Sequence, residues 1–363
     1  MRVLILDAVV KPNSGGVYTV LKDFYNDALK RKDIDFVFIV GKNNILERQE
    51  NVEIVLNRRI QKNYLYRVFF DFFFGRKYIE KFDPDVVLSF QNTGVLHLNI
   101  PQVVYVHQPI SFQKTYHFSL FKSSERKMFF YQYIVGTVLK INLFLLKRSE
   151  IIVQTKWMKR AVGRISRAQI KIFKPKIDVI DKELLLKSIE NSKSKYLFYP
   201  STAMVYKNHL TLVEAYSKLN SEFKKRMPLK LTITRDEYTR MFGEPSNDIG
   251  IEFLGRIPRR KVLELLAVSS LVFPSKLETL GLPLLEAKEL GRPIVASKTS
   301  PNMETVGSYE NVKWFDPDSV PSVIEALQEA SVSTSKVQKK FNKNSKNNGW
   351  DNLINELETY SVN

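Results

Sequence analysis

The chain has 363 residues, 44% of them hydrophobic, and a formal net charge of +18. That length suggests two domains, and that apolar fraction belongs to folded rather than disordered chains. With no cysteine, the sequence excludes disulfides, thiolate metal sites and cysteine nucleophiles, and it fits a cytoplasmic location.

Met1–Asp7 is a short apolar run closed by an acid, which predicts a first strand and not a targeting segment. Further runs rich in Val, Ile and Phe stand at Phe36–Val40, Val52–Leu56, Asp85–Phe90, Gln102–His107 and Glu150–Gln154. Helical stretches lie between them, at Val17–Arg31, Tyr64–Phe82 and Ser124–Lys147. Strands apolar on both faces, alternating with helices, predict a parallel sheet covered on both sides. Around Lys174–Asp178 the pattern gives way to a Lys-rich polar stretch reaching Lys195, and a domain boundary is expected there. Alternation restarts with strands at Lys195–Pro200, Leu229–Thr234, Ile251–Gly255, Ser270–Pro274, Arg292–Ser297 and Asn311–Phe315. The matching helices fall near His209–Leu219, Pro258–Val268, Gly281–Leu290 and Val320–Ala330. Lys336–Asn348 is polar and biased, an expected exposed helix or loop, and Trp350–Tyr360 has the pattern of an amphipathic helix. The fold class predicted is α/β: two doubly wound Rossmann-like domains, 1–176 and 177–345, facing across a cleft, with 346–363 a terminal helix that can cross back to the first domain.

The segment most telling of chemistry is Pro274-Ser-Lys-Leu-Glu278-Thr-Leu-Gly281-Leu-Pro283-Leu-Leu-Glu286-Ala287. A strand ends at Pro274 and a helix opens near Gly281–Pro283. The unpaired amides of a helix start, with its dipole, suit a diphosphate. Glu278 on the loop and Glu286 inside the helix are carboxylates able to accept hydroxyl hydrogen bonds of a sugar or ribose, or else a helix-capping acid and a surface acid. In Tyr199-Pro200-Ser201-Thr202-Ala-Met-Val-Tyr-Lys207-Asn208-His209 a strand again runs into a helix. Lys207 is either an exposed turn lysine or a cation for a departing diphosphate. Gly15-Gly16 lies between the first strand and first helix and permits close backbone approach, without the Gly-x-Gly-x-x-Gly fingerprint of a dinucleotide site. His107 ends a strand and reads as a satisfied structural histidine or a cleft residue. The pairs Asp33/Asp35, Asp83/Asp85 and Asp316/Asp318 border strands at turns, so no metal is expected.

The stretch around Glu278 and Glu286, flanked by Ile251–Gly255 and Gly291–Ser297, resembles the Glu–seven residues–Glu signature of family 4 glycosyltransferases. About 50 contiguous residues agree in order and spacing. The resemblance implies a GT-B fold, a retaining mechanism, and a nucleoside-diphosphate sugar held mainly by the second domain; no cofactor is expected. It implies that Glu278 binds the donor sugar, Glu286 the ribose, and the amides of Thr279, Leu280, Gly281 and Leu282 the sugar and phosphates. It further implies that Lys207 faces the diphosphate, that His107 bonds a sugar hydroxyl, and that the Gly15–Gly16 loop touches phosphate or acceptor. The family usually has an Arg directly after this strand; here Ser201 or Thr202 stands there, and Ser201 is carried over as a donor contact. A similar Tyr-Pro…Lys-Asn-His pattern in bacterial surface-polysaccharide transferases implies a hexose-type sugar moved to a polyprenyl-diphosphate-linked saccharide for capsule, O-antigen or exopolysaccharide.

Residues 101–200 hold 19 Lys/Arg against 6 Asp/Glu. Such an excess attracts nucleic acid or an anionic membrane, or is merely solvated lysine. Basic and aromatic residues mix in Arg58–Lys77 and Phe118–Arg148. The apolar run Met128–Leu146 is interrupted by Gln132, Lys140 and Asn142, so partly buried helices with a basic rim on anionic lipid are expected, rather than a spanning helix. No nucleic-acid motif accompanies the charge. The expected protein is therefore peripheral at the inner face of the plasma membrane; its rivals are a non-catalytic basic binder of nucleic acid or lipid, and a GT-B sugar-nucleotide epimerase.

Overall fold

The computed structural model describes residues 1–12, 16–114, 116–175, 182–191, 193–330 and 349–360. They form two compact units. One contains the described residues of Met1–Ser119, Lys127–Lys176 and Lys343–Asn363; the other contains those of Leu120–Arg126 and Ile177–Asn342. Leu120–Arg126, expected in the first domain, groups instead with the second unit. Glu125 N and Arg126 N both donate to Lys122 O at 3.0 Å, and the segment contributes no strand.

The first unit is built on β1 (Arg2–Asp7), β2 (Asp35–Val40), β3 (Val52–Leu56), β4 (Val86–Ser89), β5 (Gln102–Val106), β6 (Ser149–Val153) and β7 (Gln169–Ile172). All pair in parallel, in the order β3-β2-β1-β4-β5-β6-β7. The interior strands are buried along nearly their whole length, as strands covered on both faces must be. β7 was not expected from sequence: it is an edge strand, and Gln169-Ile-Lys-Ile is half polar. On one face Val3 and Ile5 pack with Phe24, Phe90, Tyr105 and the helix Trp350–Thr359, whose Trp350, Leu353, Ile354 and Leu357 are buried. On the other, Leu4 and Leu6 meet Phe70, Ile79 and Val87.

The second unit repeats the plan with β8 (Leu197–Tyr199), β9 (Leu229–Leu231), β10 (Ile251–Phe253), β11 (Ser270–Phe273), β12 (Ile294–Ser297) and β13 (Val312–Phe315). These strands are parallel in the order β10-β9-β8-β11-β12-β13. The Lys-rich stretch read as a linker carries a helix, Lys182–Glu190, whose Leu184 joins this core. Lys336–Asn348 lies outside the described residues.

Arg126–Leu145 is a 20-residue helix, long and apolar enough by composition to cross a membrane, and about a third buried. Its polarity is inverted. Gln132 and Asn142, which interrupt the apolar run, point inward: Gln132 accepts from Phe118 N at 3.1 Å, and Asn142 pairs with both N and O of Gly94 at 2.9 Å. Phe130, Ile134, Ile141 and Phe144 face outward, each about half exposed. Leu65, Phe69 and Phe73, on the helical stretch from Tyr64 to Ile79, are more than half exposed as well.

Candidate functional site

In the second unit the site begins where β11 ends. After Phe273 the chain crosses Pro274 and Ser275 to Glu278, then turns through Gly281 into the helix Leu282–Glu289. Gly281 has φ +70° and ψ 64°, a left-handed conformation that a side chain resists. Pro283 sits in the first helical turn, where its missing N–H removes no bond. The N–H groups of Thr279, Leu280, Gly281 and Leu282 donate to nothing among the described residues. Four consecutive open amides at a helix start are an anion cradle.

Neighbouring side chains hold this turn. Thr305 Oγ1 donates to Leu280 O at 2.6 Å, Ser297 Oγ to Ser275 O at 2.5 Å, and Asn302 Nδ2 to Ser275 O at 3.2 Å and Ser297 Oγ at 2.8 Å. Asn302 and Thr305 belong to the helix Ser300–Val306, which the sequence reading missed. A loop fixed by such bonds keeps its amides aimed without further ordering on binding.

Glu278 and Lys207 meet. Lys207 Nζ donates to Glu278 Oε1 at 2.5 Å, and the two side chains keep only 17% and 11% of their exposure. Burial works against the lysine charge, but the Glu278 carboxylate and the Tyr206 hydroxyl outweigh it and hold its pKa above the ordinary lysine value. Lys207 is positioned by its own strand–helix connection, since Tyr199 Oη donates to Lys207 O at 2.9 Å and Lys276 N to Tyr206 O at 2.9 Å. The exposed turn lysine is thereby replaced by a nearly covered ion pair.

Glu286 is fully buried on the helix Leu282–Glu289, so it is not a surface acid. Its Oε1 accepts from Arg259, and its Oε2 has no partner among the described residues. Arg259 is a cation the sequence reading did not single out. His209, also missed, is fully buried against Tyr199 with ring centroids 4.7 Å apart. Burial, aided by Lys207, drops its pKa to about 3, so it is a neutral ring beside the lysine. Ser201 is half-buried; its N donates to Thr232 Oγ1 at 2.9 Å and its hydroxyl to Thr202 O at 3.4 Å.

The remaining expected residues lie in the first unit. His107 follows β5; its N donates to Asn92 Oδ1 at 2.8 Å, and its Nδ1 has no partner among the described residues. Burial, with Arg67 adding, lowers its pKa to about 4, which keeps the ring neutral at physiological pH. Gly16 opens the helix Gly16–Ala28, and Gly15 lies outside the described residues. Asp316 spends a carboxylate oxygen on a turn bond from Asp318 N at 2.9 Å, and Asp85 accepts from Arg2 N at the start of β1 at 2.7 Å. Asp33 is held by Arg31 instead. Among the described residues no three His, Asp or Glu side chains cluster as metal ligands would.

Residues 181–348 match the family described as glycosyl transferases group 1. O-antigen chain mannosyltransferase B of Escherichia coli is 32% identical over 145 residues, a match that spans 38% of this chain and 38% of that relative's length. Among solved structures, the whole chain resembles HepE of Anabaena, determined in complex with UDP and glucose, at TM-score 0.66 and 16% identity, with both chains covered completely. It also resembles WaaG, a glycosyltransferase involved in lipopolysaccharide biosynthesis, at TM-score 0.66 and 13% identity over 91% of this chain and 90% of that one. The fold of two parallel-sheet α/β units is that of GT-B glycosyltransferases.

Proposed function

We propose, from the match to group 1 glycosyl transferases, that this protein moves a hexose-type sugar from a nucleoside-diphosphate donor to a lipid-linked saccharide, with retention at the anomeric carbon. The observation that carries the reading is the run of open amides from Thr279 to Leu282, beside a covered Lys207–Glu278 pair. On donor binding Lys207 turns to the diphosphate and Glu278 to the sugar hydroxyls, exchanging one another for ligand groups of complementary charge and polarity. As the bond from the anomeric carbon to the phosphate oxygen breaks, negative charge grows on the diphosphate. The amides and Lys207 already point at that charge and stabilise it with no resident metal. The acceptor oxygen bonds to the same face of the sugar, and its proton passes to the departing phosphate. Glu286 Oε2 accepts from the ribose. Ser201 lies in the same connection after β8 that carries Lys207.

The outward-facing aromatic and aliphatic residues of Arg126–Leu145 and Tyr64–Ile79 support a peripheral seat on an anionic membrane, at the inner face of the plasma membrane. A helix that buries its amides and shows its phenylalanines is matched to a medium less polar than water, and the first unit's basic excess suits acidic headgroups. The E. coli relative's role in O-antigen chain synthesis supports a surface-polysaccharide acceptor.

Thermal unfolding in the presence of UDP, GDP and dTDP tests the reading. One of these nucleotides raises the melting temperature in wild type, and Glu286→Gln loses most of that rise. No rise with any of the three would overturn the reading.

A further inference from the structure

Arg259 and Glu286 come from different elements of the second unit and meet through one bond. Arg259 is the first residue of the helix Arg259–Leu266, which follows β10, and Glu286 lies inside the helix Leu282–Glu289. Arg259 Nη2 donates to Glu286 Oε1. The Glu286 side chain is fully buried, and that of Arg259 keeps 33% of its exposure. The next two cations of the same helix turn elsewhere: Arg260 pairs with Glu183 at 2.7 Å, and Lys261 with Glu264 at 3.4 Å.

A guanidinium in contact with a carboxylate frequently closes two parallel bonds, one to each oxygen. This pair closes one. Arg259 Nε and Glu286 Oε2 are both buried atoms without a hydrogen-bond partner among the described residues. Nε is one carbon removed from the bonded Nη2, and Oε2 one carbon removed from the bonded Oε1. An unused donor and an unused acceptor therefore flank a single contact. Burying either without a partner is costly, and buried polar groups are seldom left so. An anion entering here would satisfy Nε but meet the carboxylate, and a cation would satisfy Oε2 but meet the guanidinium. A hydroxyl donates and accepts at one atom, and it satisfies both.

The helix tells whose hydroxyl this is. Glu286 stands five residues beyond Gly281, about 7 Å along the axis from the turn of open amides. With a diphosphate at those amides, the next group of a nucleotide, its ribose, falls at that distance.

We infer that Arg259 determines specificity for the donor: one ribose hydroxyl bridges it to Glu286, giving its proton to Oε2 and accepting from Nε–H. The inference rests on the transferase reading above, which gives Glu286 the ribose, and adds a second, cationic half to that recognition. Arg259, the partly exposed partner, gives way to admit the hydroxyl. A nucleotide without that hydroxyl leaves both groups unpaired.

Titration calorimetry on the full chain tests this. It compares the nucleoside diphosphate that raises the wild-type melting temperature with its 2′-deoxy and 3′-deoxy forms. Wild type binds one of the two deoxy forms about tenfold more weakly than the ribonucleotide, or weaker still. Arg259→Met shrinks that ratio to within about threefold, close to simple additivity, because the ribonucleotide weakens while the disfavoured deoxy form keeps its wild-type affinity. Arg259→Lys does the same with a charge still beside Glu286, since lysine lacks the forked donors; it serves where the Met variant does not fold. If the variants weaken ribo and deoxy forms equally, Arg259 only packs the two helices together and the inference is wrong. It is equally wrong if wild type binds both deoxy forms as tightly as the ribonucleotide. A wild type that binds none of the nucleotides instead brings down the transferase reading, and this inference with it.

Discussion

Replacing Lys207 by Met and Glu278 by Gln, singly and together, measures how firmly the site is set before substrate arrives. The pair is close, at 2.5 Å, and the two side chains are more than four-fifths covered. Exposed pairs couple by about 0–1 kcal/mol, and removing one partner of a fully buried pair costs about 3–5 kcal/mol. A pair this covered but still open at one side should fall between, with a coupling of about 2 kcal/mol. Each single variant strands the other group under partial burial, so the double variant is less destabilised than the two singles summed. Urea denaturation, read at the transition of the second unit, gives the coupling directly. The ion pair means that Glu278→Ala also loosens Lys207, which makes the near-isosteric Glu278→Gln the cleaner probe of chemistry. A coupling below about 0.5 kcal/mol, the usual limit of additivity, would refute the claim that the pair is preformed.

Gly281→Ala sets a methyl 3.1 Å from Leu284 Cδ1 and forces a left-handed alanine. We expect a loss of about 1–2 kcal/mol in stability together with weaker nucleotide binding, measured by denaturation and titration calorimetry. His107 has a folded pKa near 4 against an ordinary 6.5, so between those values the unfolded chain binds the extra proton. Its share of stability is present above pH 6.5 and lost as pH falls toward 4, by up to about 3 kcal/mol. His107→Gln should flatten that part of the pH–stability curve, and an unchanged slope would count against a ring held neutral in the fold.

Much of the architecture was legible because buried parallel strands are written as runs of Val, Ile and Phe, and Val3–Leu6 or Gln102–His107 can hardly be anything else. β7 was hidden because an edge strand alternates with polar residues, and Lys182–Glu190 because lysines mask a helix that fully buries a single leucine, Leu184. The amide turn at Gly281 was legible from Gly and Pro at the right distance from a strand end. Arg259 was not, since nothing in its neighbourhood points to a carboxylate 27 positions later. Gln132 and Asn142 read as flaws in an apolar run; their use as internal braces depends on loops at Phe118 and Gly94 that meet them only in the folded chain.

The helix Trp350–Thr359 completes the core beneath β1, β4 and β5, with Trp350 ringed by Phe24, Phe90, Tyr105 and Phe173. During synthesis, then, the amino-terminal half emerges from the ribosome lacking a side of its own interior. It must wait, incomplete, while the entire second unit is translated, so the later-made unit can finish folding first.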